Sequence, residues 1–264
     1  MFYILLFMVI INFIGNVLDF QGRDVAVMFQ PMRFLLLSYE RTYRNAANTY
    51  VLIQLCPVLV AYTAGLSLAR EYQLGTRIFL VSRIGNFKYP GSKYLSVFLV
   101  TMIIFTVPFL LEIFLNCMSF PLSASGNLLE LSFYDSQYRD AVNHYFMKSI
   151  YFYSPYLYAV IGTLLFGAVS GLLGVFTVAV SSLIKFRYNV FLLMPVYAVL
   201  NLSTIYESRL LENVSSMKPS IRWYDYVLIF NDRIKNMGYL VIGISVIVLF
   251  SIVAACISGR KDCL

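Results

Sequence analysis

The sequence predicts an all-α polytopic membrane protein with six membrane-spanning helices. Three observations carry that reading. Hydrophobic residues make up 60% of the 264-residue chain and charged residues only 12%. A soluble domain runs roughly 45–50% apolar and about 25% charged. Mean hydropathy is +0.76. The apolar residues are gathered into uncharged stretches close to the ~20 residues that cross about 30 Å of hydrocarbon. Half the usual charge cannot cover a water-soluble globule of this size. A soluble enzyme, a disordered chain and a nucleic-acid binder are therefore poor fits, and a lipid bilayer is the expected surrounding.

The spans fall at about 1–20, 49–69, 94–118, 156–184, 189–206 and 239–258. Within the first, Met1–Leu18 has only Asn12 and Asn16 as polar members. A signal peptide would want a basic leading region and a small-residue cleavage site. No Lys or Arg precedes Arg23 and no A-x-A site follows, so the stretch reads as a span. The third span carries Glu112, and the fifth, the shortest, holds Pro195 and Asn201 but no charge. The fourth contains Gly162, Gly167, Gly171 and Gly174. Small residues at such spacing let helix backbones approach closely, which predicts tight packing within the bundle, with self-association as the alternative.

Charge sets the orientation. Six spans place both termini on one side, together with the connections Arg70–Lys93 and Lys185–Asn189. That side holds nine basic residues, Arg70, Arg77, Arg83, Lys88, Lys93, Lys185, Arg187, Arg260 and Lys261, against Glu71 and Asp262. The opposite loops, Asp19–Asn48, Ser119–Pro155 and Glu207–Gly238, hold 11 basic and 10 acidic residues. This is the positive-inside pattern, and it puts both termini and the Arg70–Lys93 loop in the cytoplasm.

The outer loops are rich in aromatic residues, including Tyr151, Phe152, Tyr153, Trp223 and Tyr224. An interfacial aromatic belt accounts for them; a folded cap that gates a substrate is the sharper reading, with Trp223 and Tyr224 as its candidates. Glu112 is a third candidate for a substrate path or gate. It lies nineteen residues beyond Lys93, roughly 28 Å along a helix, which predicts a depth near the outer headgroups where its carboxylate reaches water.

Chemistry is sparse. Cys56, Cys117, Cys256 and Cys263 have no paired spacing, and the single His144 rules out a multi-histidine metal site. There is no phosphate-cradling G-x-x-x-x-G-K-[ST] loop, no G-x-S-x-G elbow and no H-E-x-x-H helix. No catalytic residue, metal or directly bound cofactor is expected. The chain reads as no enzyme by itself, and any uphill work would draw on a partner.

The most informative segment is Arg70–Lys93, REYQLGTRIFLVSRIGNFKYPGSK. Leu74, Ile78, Phe79, Val81 and Ile84 give helical spacing, with Arg77 and Arg83 among them. Gly85-Asn86 breaks the helix and Pro90-Gly91 is expected to turn the chain into the next span. A short amphipathic helix between spans two and three lies on the inner leaflet or docks on a soluble partner.

Glu71-x-x-x-Gly75-Thr76, then Ser82, then Gly91-Ser92-Lys93 before the third span, resembles the permease subunit of ABC-2-type (type V exporter-like) ATP-binding cassette transporters. The motif covers only Arg70–Lys93, while the topology is similar over nearly the whole chain. The segment from Lys218-Pro219 to Phe230 resembles the family's re-entrant or external helical segment before helix 6. One departure is that Met1 already opens an apolar run, where family members often begin with an amphipathic cytoplasmic helix. The resemblance implies a bacterial plasma-membrane exporter subunit that pairs with a second copy or a paralogue and with a separate ATPase, which would hold ATP and Mg. Glu71, Gly75, Thr76, Arg77, Arg83 and Lys93 would lie at the joint with that ATPase, in a coupling helix and its flanks. The implied cargo is hydrophobic or amphipathic, such as a peptide or antibiotic. The alternative is a multi-span scaffold that binds a cytoplasmic partner without transport.

Overall fold

A computed structural model describes residues 1–21, 35–38, 45–73, 75–85, 88–120, 147–183 and 237–261. Among them every regular element is an α-helix: α1 (Phe2–Phe20), α2 (Asn45–Gln73), α3 (Thr76–Ile84), α4 (Lys88–Ser119), α5 (Lys148–Tyr153), α6 (Pro155–Leu183) and α7 (Met237–Lys261). The expected span at 189–206 and the candidates Trp223 and Tyr224 lie outside the described residues.

Among the described residues four helices, α1, α4, α6 and α7, are long and apolar enough to cross a membrane. They correspond to the first, third, fourth and sixth expected spans. At the second expected span, 49–69, α2 runs for 29 residues and includes the apolar stretch Val51–Ala64.

The chain divides into two compact units. One comprises Met1–Ile53, Phe105–Phe166 and Asn213–Asn236. Within it α1 buries Leu5, Val9, Asn12 and Asn16, a single stripe at helical spacing, and exposes Ile4, Phe7, Ile11, Ile14 and Leu18 on the other side. The second half of α4 repeats the pattern. It buries Phe105, Phe109, Glu112 and Asn116 and exposes Val107, Leu111, Phe114 and Met118. Phe166 of α6 meets Phe105 and Phe109 edge-on, at centroid distances of 5.9 and 5.3 Å. Leu35–Ser38, inside the outer loop Asp19–Asn48, is buried throughout. Ser154 precedes α6 in extended conformation and its Oγ accepts from the Leu157 amide at 3.4 Å. Pro155 opens the helix, where a missing N–H does no harm.

The other unit comprises Gln54–Ile104, Gly167–Glu212 and Met237–Leu264. Its core holds Ala64 of α2, Val97 of α4 and Val178 of α6, with Tyr94 packed against them. Gly171 and Gly174 explain how α6 reaches α4. A Cβ on Gly171 would lie 2.9 Å from the Phe98 ring and 3.0 Å from its carbonyl oxygen; on Gly174 it would lie 3.1 Å from Thr101 Oγ1. Of the other two glycines of α6 expected to pack, Gly167 is buried and Gly162 partly buried. Phe176 and Phe250, 5.3 Å apart, join α6 to α7. The rest of α7 shows Val241, Ile242, Val246, Leu249 and Val253 on its surface.

Among the described residues both units expose many large apolar side chains while burying several polar ones, unlike a water-soluble fold. Contiguous apolar surface of this extent marks contact with lipid. Three hydroxyls at membrane depth bond within their own helices, whereas Thr106 Oγ1 of α4 is buried with no hydrogen-bond partner. Thr163 donates to the Ala159 carbonyl at 2.9 Å, Thr177 to Leu173 at 2.8 Å and Ser251 to Ile247 at 2.8 Å. Such back-bonds remove the need for water that hydrocarbon cannot supply. The chain is, on these features, a membrane protein.

Candidate functional site

The segment between α2 and α4 is built around two glycines. Gly75 has φ +65 and ψ 6, the left-handed conformation that lets the chain leave α2 and start α3 within two residues. Gly85, at φ 92 and ψ 149, occupies a region essentially closed to other residues, and its N–H donates to the Val81 carbonyl at 2.8 Å. The break expected at Gly85-Asn86 is thus present at Gly85. The turn expected at Pro90-Gly91 is not. α4 already begins at Lys88, and Pro90 sits in its first turn, where backbone N–H groups need no helical partner. Gly85→Ala is expected to cost about 1–3 kcal/mol through backbone strain, read as faster hydrogen exchange in α3.

α3 turns Val81 inward and leaves Phe79, Arg83 and Gly75 exposed. Phe79 is a large ring that is 74% exposed. Thr76 opens the helix and Arg77 follows it. Arg83 lies in the last turn, where a cation suits the negative end of the helix dipole. Ser82 Oγ donates to the Phe79 carbonyl at 2.9 Å.

Below α3 the two long helices are clamped. Glu71, in the last turn of α2, accepts from the Tyr89 hydroxyl and, at 2.5 Å, from Lys93 Nζ, both near the start of α4. The Lys93 and Glu71 side chains are 17% and 21% exposed, so the pair is shielded more than a surface ion pair. Of the residues expected at the joint, Glu71 and Lys93 are brought into direct contact, Gly75 and Thr76 set the start of α3, and Arg83 projects from its end. Tyr89 was not foreseen. It lies four residues before Lys93, hence on the same helical face, a signal hidden by starting the third span at residue 94.

In the first unit the structure assembles a polar cluster around Glu112. The carboxylate is 1% exposed, so the expected contact with water is absent. The reason is that α1 and the buried segment Leu35–Ser38 cover it. Asn12 Nδ2 donates to Glu112 Oε1 at 2.7 Å and the Leu36 amide donates to the same oxygen at 2.8 Å. Asn48 Nδ2 donates to Asn12 Oδ1 at 3.3 Å, and Thr49 Oγ1 donates to the carbonyls of Leu36 and Ser38 at 2.8 and 3.0 Å. Asn116, one turn along α4, donates through Nδ2 to the Glu112 carbonyl at 2.9 Å. A carbonyl only accepts, so this bond fixes the amide orientation and turns Asn116 Oδ1 away. Glu112 Oε2 and Asn116 Oδ1 are buried with no hydrogen-bond partner. Asn12, Asn116 and the Leu36 amide were not foreseen as partners, although Asn12/Asn16 and Glu112/Asn116 each show polar residues four apart on one helical face.

Among the described residues no group of three or more His, Cys, Asp or Glu side chains is placed to hold a metal ion. Comparison of the chain with protein-family models, with curated proteins and with solved structures finds no match.

Proposed function

We propose that the chain is the membrane-spanning permease subunit of an ATP-binding cassette exporter, driven by a separate ATPase. In this reading it has six spans, cytoplasmic termini, a second permease copy or paralogue beside it, and a hydrophobic or amphipathic cargo such as a peptide. ATP and Mg belong to the ATPase, and the expected membrane is the bacterial plasma membrane. The observation that carries the reading is α3: a short helix isolated by two positive-φ glycines, carrying exposed Phe79 and Arg83, and clamped at its base by Glu71, Tyr89 and Lys93. A helix so held transmits a push on its outer face to α2 and α4 as a rigid body. Phe79 supplies an aromatic anchor of the kind that dominates protein interfaces, and Arg83 a charge for partner acids.

Co-expression with a candidate ATP-binding cassette ATPase from the same genome tests the proposal. The two are expected to co-purify, and the double variant Phe79→Ala/Arg83→Ala to lower recovery of the ATPase at least about tenfold, as removing an aromatic and a charged anchor implies. Undiminished recovery together with undiminished stimulation of ATP hydrolysis would contradict the coupling role. Recovery that depends on α3 without any stimulation would instead favour a scaffold.

A further inference from the structure

We infer that Glu112 and Asn116 form a binding site for one monovalent cation, either an alkali-metal ion or a proton, inside the membrane-embedded core. The inference stands apart from the exporter reading and rests on the first unit alone. A carboxylate at membrane depth is costly and requires a compensating charge or proton. The donors that reach it, Asn12 Nδ2 and the Leu36 amide, are both neutral and both converge on Oε1. Oε2 receives nothing, and one helical turn away Asn116 Oδ1 is equally bare. Both residues are at most 1% exposed. Two buried oxygen acceptors on one helical face, with no donor for either, leave the negative end of the cluster unanswered.

A cation answers both at once. An alkali ion takes oxygen ligands from a carboxylate and an amide carbonyl, and it neutralises the charge. A proton on Oε2 does the same by donating toward an acceptor such as Asn116 Oδ1. Among the described residues, the groups that bond within this cluster, Asn12 of α1, Asn48 and Thr49 of α2, and the Leu36 amide, are all neutral. The other titratable side chains described in the first unit, Tyr3 and Asp19 of α1, Cys117 of α4, Tyr153 of α5, and Tyr156 and Tyr158 of α6, give no bond to Glu112 Oε2. The absence of a cysteine, histidine or multi-carboxylate set among the described residues argues for a hard monovalent ion over a transition metal.

The test is thermal unfolding of the purified full chain in detergent. It is run in NaCl, KCl or choline chloride at equal ionic strength, and across pH 5 to 9. For an alkali ion, Na+ or K+ is expected to raise the midpoint over choline by about 5 °C when saturating. For a proton, the midpoint is insensitive to the salt but rises on acidification, because the folded state binds a proton that the unfolded chain releases, and this gain is lost as pH rises. In either case Glu112→Gln removes the response, since its amide offers a permanent donor in place of Oε2. Asn116→Leu, which keeps the carboxylate, is expected to weaken the response at least tenfold in the cation or proton concentration required. Identical responses in wild type and Glu112→Gln would overturn the inference. So would a response unchanged in Asn116→Leu, which decides the matter should Glu112→Gln fail to fold.

Discussion

Gly171→Leu is expected to destabilise the protein by about 3 kcal/mol, the upper part of the range for overpacking a filled interior. Even the first added carbon would stand 2.9 Å from the Phe98 ring and 3.0 Å from the Phe98 carbonyl oxygen. The ring can rotate aside; the backbone oxygen cannot. Phe98→Ala in the same chain should therefore restore only part of the loss. The measurement is thermal unfolding in detergent, with a fall in midpoint on the order of 10 °C. Gly243→Leu is the matched control, because nothing lies within 4 Å of a Cβ there, and it should leave the midpoint unchanged. A similar fall in both variants would mean that the penalty belongs to glycine replacement in general and not to the α4–α6 approach.

Glu71→Lys is expected to open the clamp beneath α3. The change removes the acceptor of the Tyr89 hydroxyl and sets two ammonium groups against each other where an ion pair stood. Exposed ion pairs contribute little, ~0.2–1 kcal/mol, but this one is half-shielded and reinforced by a hydrogen bond to a charged group, so a loss of about 1–3 kcal/mol is expected. Limited proteolysis should show it as faster cleavage within Arg70–Lys93. The exchanged pair Glu71→Lys/Lys93→Glu should recover at least half of the protection, because the attraction is restored with its ends reversed. No recovery in the exchanged pair would mean that the Tyr89 contact, and not the ion pair, holds the helices.

What was legible in the sequence follows from what local pattern encodes. The stripe Leu5, Val9, Asn12, Asn16 and the opposing apolar face of α1 are a matter of 3.6-residue periodicity, readable without a partner. The isolation of α3 was readable too, because Gly85 and its neighbours are breakers by their own backbone preferences. The Glu71 clamp was half legible: the acid and Lys93 stood out, but Tyr89 joins only when α4 begins at Lys88. That start was obscured by Pro90, which resembles a stop signal yet is tolerated in a first helical turn. The Glu112 cluster was the least legible. Its donors come from 76 and 100 residues away in the chain, and no local pattern announces that Leu35–Ser38 folds inward. A nineteen-residue offset from Lys93 gave depth along a helix; it could not give the cover that excludes water.

The central claim is that α3 faces a cytoplasmic ATPase, and site-specific cross-linking from Phe79 tests it most directly. In a chain lacking Cys56, Cys117, Cys256 and Cys263, Phe79→Cys supplies one thiol on the exposed face of α3. In intact cells that co-express the candidate ATPase, a membrane-permeant thiol cross-linker should join the two chains. A membrane-impermeant maleimide added outside should leave that thiol unmodified. Modification from outside, with no adduct to the ATPase, would contradict both the orientation and the coupling.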